Sequence, residues 1–490
     1  MTATEVLAWA RSLGVSLWTE AGRLRYRAPT GAMSAALRES LQSEKRELIE
    51  LLELQRTIAR APRDPQPMAS FAQERLWFLD RFEPNVATYN IPGALRLTGL
   101  LNVPALERSL REVMRRHEVL RTTFEEQDGQ ALQVIHDEMS MELAVIDFRG
   151  AGNPEWAARQ EATAEAQRPF NLAIGPLIRT KLLRVTDQEH VLLLTMHHIV
   201  SDRWSLGTLL GELDQLYSAF DDDKPSPLDE LAIQYADYAV WQRQTLQKEL
   251  EAQLGYWRKQ LAGSAPVLEL PTDRPRPSRQ TFRGSSCQLA FDEATARRVR
   301  DLSDGEGATS FMTLLAAFTI LLARYSGQLD IVVGCPVANR NQTEVEGLIG
   351  LFVNTLVLRV GVSKSASVGE VLGRVKEVAL AAYAHQDLPF EKLVAELQPV
   401  RDLSRAPLFQ VMFDLHNASA APMKLKSASL EWMEVAYDVS NFDLSLSIVE
   451  TSSRLAGRIE YNTDLFDRTT VERMGGHFRR LVEGVLKDPD

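Results

Sequence analysis

Cysteine is nearly absent: Cys287 and Cys335 are the only two in 490 residues, and they lie far apart. No CxxC pair and no histidine-rich tract accompanies them, which argues against a disulfide framework and a metal centre. An excess of positive charge is missing too. The 55 lysines and arginines are outnumbered by 66 acids, for a net charge of −11. That excludes nucleic acid as a partner, since phosphate neutralisation needs a basic surface. No apolar run reaches the length of a membrane span. The opening MTATEVLAWARSLG lacks the basic start and long apolar core of a secretory leader. The expectation is a cytoplasmic protein without membrane contact. What is present is ordinary globular composition, 45% apolar and 25% charged, in a chain long enough for two large lobes and something small.

The small part is residues 1–55. Val6, Leu7, Ala10 and Leu13 recur at helical spacing up to Gly14. Val15–Trp18 and Arg23–Arg27 flank a Glu-Ala-Gly turn and read as a hairpin. Arg23, Arg25 and Arg27 alternate with Leu24 and Tyr26, so the three arginines share one face. A second amphipathic helix is expected from Ser34, giving an αββα module. Residues 56–69 hold three prolines and mixed charge, a linker composition. Beyond them strands and helices alternate as in an α/β (α+β) fold. A Pro-rich stretch at 264–281 reads as a crossing between two lobes.

The segment HVLLLTMHHIVSDRWSLGTLL concentrates the chemistry. An apolar strand, Val191–Met196, runs into His197, His198, Ser201 and Asp202, and a helical pattern starts at Trp204. Titratable groups thus gather between a buried strand and a helix N-terminus, where unpaired N–H groups favour negative charge. Three readings are open on pattern alone: a hydrogen-bonded core feature, a metal ligand pair, or a catalytic site. No HExxH arrangement favours the second.

The run His197-His198-Ile199-Val200-Ser201-Asp202 resembles the HHxxxD core of nonribosomal peptide synthetase condensation domains. Six further stretches resemble that family's motifs in order: SFAQERLWFL (70–79), RHEVLRTTF (116–124), YADYAVWQR (235–243), IGLFVNTLVLR (349–359), HQDLPFEKLV (385–394) and RDLSRAPLFQVMFDLHN (401–417). The first 55 residues resemble the N-terminal docking domain of the tubulysin-synthetase type. The resemblance implies two chloramphenicol-acetyltransferase-like lobes in a V, a pseudo-dimer with the active site at the junction. The lobes are expected at 70–245 and 246–490.

The resemblance also implies roles. His198 is the base or orienter of the attacking amine, His197 its support, and Asp202 an organiser paired with Arg340. Arg203, Trp204, Ser205 and Asn354 are placed along the substrate tunnel, with core or turn positions as the alternative for Trp204 and Asn354. Ser201 is expected to cap the following helix. No cofactor is bound by the chain itself; substrates arrive on phosphopantetheine, or on coenzyme A if the domain is a starter. Expected partners are donor and acceptor carrier domains, a downstream adenylation domain, and an upstream synthetase protein that meets Arg23, Arg25 and Arg27. One departure stands out: the family motif continues with glycine, and this chain has Arg203. It is expected either to narrow the donor channel, to mark a starter domain, or to lie outside the tunnel with little effect, and pairing with Glu212 or Asp214 on the next helix is the competing expectation.

Overall fold

The computed structural model describes residues 2–13, 15–20, 23–28, 33–54, 58–265, 267–399, 402–417, 423–426, 428–435, 438–451 and 454–487. Gly14 and the Ala21–Gly22 turn of the expected hairpin lie outside the described residues.

The N-terminal module comprises α1 (Ala3–Ser12), the antiparallel pair β1 (Ser16–Glu20) and β2 (Arg23–Arg27), α2 (Ala35–Ser43) and α3 (Lys45–Leu54). Ser34 starts α2 by accepting from the Leu37 N–H at 3.1 Å. The single helix expected from Ser34 breaks at Glu44, so the module is αββαα. It is also less separate than its sequence suggests. α1 packs on α11 (Val368–Ala384) of the second lobe, and Val6, Leu7, Leu37 and Leu48 join that lobe's continuous core.

The first lobe runs through α4 (Phe71–Phe82), β3 (Asn90–Thr98), α5 (Val103–Arg116), β4 (Thr122–Gln127), β5 (Gln130–Ile135), β6 (Ala144–Asp147), α6 (Pro154–Gln167), β7 (Ile178–Arg184), β8 (Glu189–His197), α7 (Arg203–Asp221) and α8 (Tyr235–Leu261). β8 is buried along nearly its whole length because both sheet faces are covered. Leu192, Leu194 and Met196 share a core with Leu106 and Leu110 of α5 and Leu209 and Leu213 of α7. Val191 and Leu193 meet Ala158 and Ala162 of α6 on the other side.

The second lobe holds β9 (Gly284–Ala290), α9 (Glu293–Gly305), α10 (Ser310–Ser326), β10 (Asp330–Val337), β11 (Asn354–Gly361), α11, α12 (Phe390–Leu397), β12 (Val411–Asn417), β13 (Met423–Leu425), β14 (Ala428–Trp432), β15 (Leu444–Glu450), β16 (Leu455–Asn462) and α13 (Arg468–Val485). Its sheet has the order β11-β10-β12-β15-β16-β9. The apolar face is covered by helices: Phe413 meets Phe311 and Phe318 of α10, and Phe318 meets Phe478 of α13.

Two findings correct the lobe boundary at 245/246. α8 runs unbroken across it. More importantly, β13 and β14 leave the second lobe and extend the first sheet, whose order is β13-β14-β3-β8-β7-β6. Leu430 of β14 lies opposite Leu97 of β3. Such a pairing across the chain leaves no local pattern to read. The described strands at 122–127, 284–290, 423–425, 428–432 and 444–450 were all outside the sequence expectation.

Among the described residues no single helix is long and apolar enough to cross a membrane.

Candidate active site

β8 delivers the histidine pair to the edge of the first lobe, and their roles separate at once. His197 is buried and its Nδ1 accepts the Ile199 N–H at 3.1 Å, closing a short 3-10 turn over His198–Val200. Tyr89 and Phe170 meet its ring edge-on. Burial pulls its pKa down to about 3, with repulsion from His198 and Arg179 adding to the effect. His197 is therefore a neutral support.

That burial has a measurable consequence. Between about pH 6.5 and 3 the unfolded chain binds a proton that folded His197 refuses. Stability is therefore whole above pH 6.5 and falls with pH below it, by up to about 1.4 kcal/mol per pH unit from this group. Urea midpoints at pH 7 and pH 5 for wild type and His197→Gln test this: the gap between the proteins is expected to shrink at pH 5. An unchanged gap contradicts neutral burial.

His198 is half-buried. Its backbone N–H is held by the Tyr89 carbonyl at 2.8 Å, and its Nδ1 lies 2.7 Å from the Ser201 carbonyl. A carbonyl only accepts, so Nδ1 carries the proton and the lone pair of the neutral ring is on Nε2. Nε2 has no partner among the described residues.

Asp202, not Ser201, caps α7. Its Oδ1 accepts the Ser205 N–H at 2.8 Å and contacts the Ser205 hydroxyl at 2.7 Å. Arg340 reaches the same oxygen through Nη2 at 3.2 Å, and Oδ2 accepts the Phe352 N–H at 3.0 Å. Arg340 also donates from Nη1 to the Val345 and Leu348 carbonyls, both at 2.6 Å, and stacks 4.0 Å from the centre of the Phe352 ring. Burial lowers the Arg340 pKa and Asp202 opposes it. One carboxylate thus ties the start of α7 to the 340–352 segment of the second lobe.

The neighbouring motifs converge on the same place. Gln73 of α4 donates to the Ile199 carbonyl at 3.1 Å, fixing the His198–Val200 turn from the other side. Tyr235 joins Ser70 at 2.8 Å and donates to the Leu351 carbonyl at 2.7 Å. A Cβ on Gly350 would overlap the Tyr235 ring, so glycine there allows the close approach. Glu212 holds Arg116 at 2.8 Å and His117 at 2.9 Å, and the His117 Nδ1 accepts the Ile349 N–H at 3.3 Å. Gln73, Tyr235 and Gly350 had no assigned role in the sequence, and Glu212 was expected only as a partner of Arg203. The motifs of the first three were visible, but partners about a hundred residues or more away were not.

The tunnel assignments change. Ser205 is fully buried, and its hydroxyl also sits 2.8 Å from the Gly350 carbonyl. Asn354 donates to the Gln386 and Leu388 carbonyls at 2.8 and 2.7 Å and accepts from Phe390 at 3.0 Å. The Ser205 hydroxyl is spent on Asp202, Arg340 and backbone, and the Asn354 amide on backbone, so both are braces and not tunnel walls. Trp204 is 48% exposed and donates to the Glu346 carbonyl at 2.9 Å. Arg203 is exposed on the first turn of α7. It makes no ion pair or side-chain hydrogen bond among the described residues. The expected pairing with Glu212 fails because Arg116 and His117 already hold that acid. Asp214 instead lies 3.4 Å from the Lys426 N–H.

A histidine with one nitrogen pinned and the other open, braced by an inter-lobe carboxylate, meets its match in a known family. The family described as Condensation domain matches residues 66–490. The chain belongs to the condensation-domain family. Residues 4–53 match the TubC N-terminal docking domain. One of the linear gramicidin synthase proteins of Brevibacillus parabrevis is 49% identical over 434 residues, 88% of this chain and 6% of that one. Phosphinothricin tripeptide synthetase PhsC of Streptomyces viridochromogenes is 41% identical over 439 residues, 88% of this chain and 40% of that one. The condensation domain therefore spans only a fraction of these curated relatives. The crystal structure of the X-domain from teicoplanin biosynthesis superposes with a TM-score of 0.81 at 29% identity, covering 89% of this chain and 98% of that one. As a condensation domain, the chain is of the amide-forming acyltransferase class of nonribosomal peptide synthetases, in a chloramphenicol-acetyltransferase-like fold.

Proposed function

We propose that this condensation domain joins a carrier-bound acyl or peptidyl thioester to the amine of an aminoacyl carrier, with both substrates on phosphopantetheine. The observation that carries the reading is the open Nε2 of His198, fixed by the 2.7 Å contact of Nδ1 with the Ser201 carbonyl. As the amine attacks the thioester carbon, a C–N bond forms and the amine nitrogen becomes acidic. Nε2 takes that proton or orients the N–H; the C–S bond then breaks and the proton leaves with the thiol. His197, Asp202 and Arg340 act through position.

The docking module supports a carrier-bound donor. β2 pairs only with β1 among the described residues, which leaves an edge free for strand addition. Arg23 and Arg25 are exposed on it; the Arg27 side chain lies outside the described residues. An acidic tail from an upstream synthetase protein fits that edge, and a downstream adenylation domain completes the assembly. The starter reading, N-acylation from acyl-CoA, rests on Arg203 alone. A non-catalytic platform is the third reading. It is favoured by the likeness to the teicoplanin X-domain, whose complex with OxyB is known, and disfavoured by the intact His198.

Arg203 provides the test. An exposed cation at the head of α7, with no partner of its own among the described residues, supports the reading that Arg203 narrows the donor path. With donors of two to twelve carbons, Arg203→Ala is expected to accept longer acyl groups than wild type from a carrier, and acyl-CoA is expected to fail for both. Parallel chain-length profiles would refute the gate. Turnover of acyl-CoA without any donor carrier would establish the starter reading instead.

A further inference from the structure

In the second lobe's sheet, β12, β15 and β16 carry polar side chains on one face. On β12, β15 and β16, Phe413, Leu446 and Ile459 point to the helices. The alternate residues form two rows on the opposite face. Met412, Ser445 and Glu460 lie side by side, and next to them Asp414, Ser447 and Arg458. All are half-buried, as is His416 one step further along β12.

The polar side chains of this half-buried face find few partners among the described residues. Asp414 contacts His416. Ser445, Ser447, Arg458 and Glu460 find no side-chain hydrogen bond or ion pair among the described residues. The Arg458 Nε is buried and unpartnered. Burial raises the Glu460 pKa while nearby Arg458 lowers it. A buried polar atom without a partner costs stability, so the Arg458 Nε, with the half-buried Ser445, Ser447 and Glu460 beside it, marks a place where something else can supply the partners.

Topology puts the face beside the reaction. β12 runs parallel to β10, with Met412 level with Gly334. β10 ends at Val337 and leads into Arg340, so Asp414 and His416 advance toward the segment that clamps Asp202. At the other edge Gln288 of β9 donates to Glu434 at 3.3 Å. Glu434 follows Met433, whose N–H bonds to the Ala94 carbonyl of the first sheet at 2.9 Å. The polar face therefore looks into the space between the lobes.

We infer that this face is a substrate-selecting wall of the cleft, and that it takes a substrate side chain bearing a carboxamide in preference to an apolar one of equal size. The inference rests on the amide-forming reading above. A carboxamide offers a carbonyl to Arg458 and an NH2 group to Glu460 and the serines, which satisfies both sides at once. An apolar isostere leaves them unpaired, and sites built to hydrogen-bond a substrate discriminate strongly against such analogues.

The test uses the full chain with carriers loaded in isosteric pairs, asparaginyl against leucyl and glutaminyl against methionyl, each offered as donor and as acceptor. At one of the two positions kcat/KM is expected to favour the carboxamide by at least about tenfold. Arg458→Met and Ser447→Ala, two independent changes each checked by melting temperature, are expected to bring that ratio toward one. Product from every pair without preference at either position overturns the inference alone, as does a ratio that both folded variants retain. No amide from any pair overturns the amide-forming reading and this inference with it.

Discussion

Asp202→Ala is expected to destabilise the protein by about 3–5 kcal/mol, the cost of stranding one partner of a buried ion pair. The carboxylate has three clients. Arg340 would keep its charge in a buried site with Phe352 below it, and the Ser205 and Phe352 N–H groups would lose their acceptor. Loss of the α7 cap adds about 1 kcal/mol. The urea midpoint should fall with little change in slope, and turnover should fall with it because the turn carrying His198 loses its anchor. Asp202→Asn keeps the shape and is expected to fall between. Arg340→Ala should be similarly damaging, and the double variant less so than the sum, since the second change removes a charge that the first stranded. Unchanged stability with lost turnover would show instead that Asp202 takes part in the chemistry.

His198→Ala is expected to do the opposite: little to stability, much to rate. The ring is half-buried and makes one side-chain hydrogen bond, to the Ser201 carbonyl. Removing a base or orienter typically costs about 10²–10⁴-fold in rate. Single-turnover amide formation between preloaded carriers measures this without interference from carrier loading. The loss should appear in the chemical step, with carrier affinity unchanged. A folded His198→Ala protein within tenfold of wild type would mean that the cleft works by bringing its substrates together, with no proton moved by the histidine.

The helices were legible because their ends are written locally. Ser70, Asn102, Asn153 and Ser367 each accept an N–H of the turn they start. Some strands were harder. GSSCQLA of β9 has little apolar alternation, and β14 takes its meaning from a partner in the other lobe. Leu444, Leu446 and Ile448 of β15 do alternate, and that signal was readable. In the site, the strand–helix pattern gathered the histidines and Asp202 and left three readings open; their roles, and Arg340, came from resemblance. Ser205 and Asn354 were misread for a common reason. A polar residue inside a motif looks like a substrate contact, and only coordinates reveal that its hydrogen bonds are already used within the protein.

The strand that leaves one lobe for the other bears on how such enzymes are recombined. A chimera spliced at 246 would appear to exchange a whole lobe. It would in fact graft β14 onto a foreign sheet, where Leu430 and Trp432 must fit against whatever the host has in place of Leu97 and Leu95. The incoming piece would bring its own edge strand and lose the edge it evolved to complete. Exchanges that keep β3 and β14 from the same parent avoid the mismatch, so the natural unit of inheritance here is the pair of lobes.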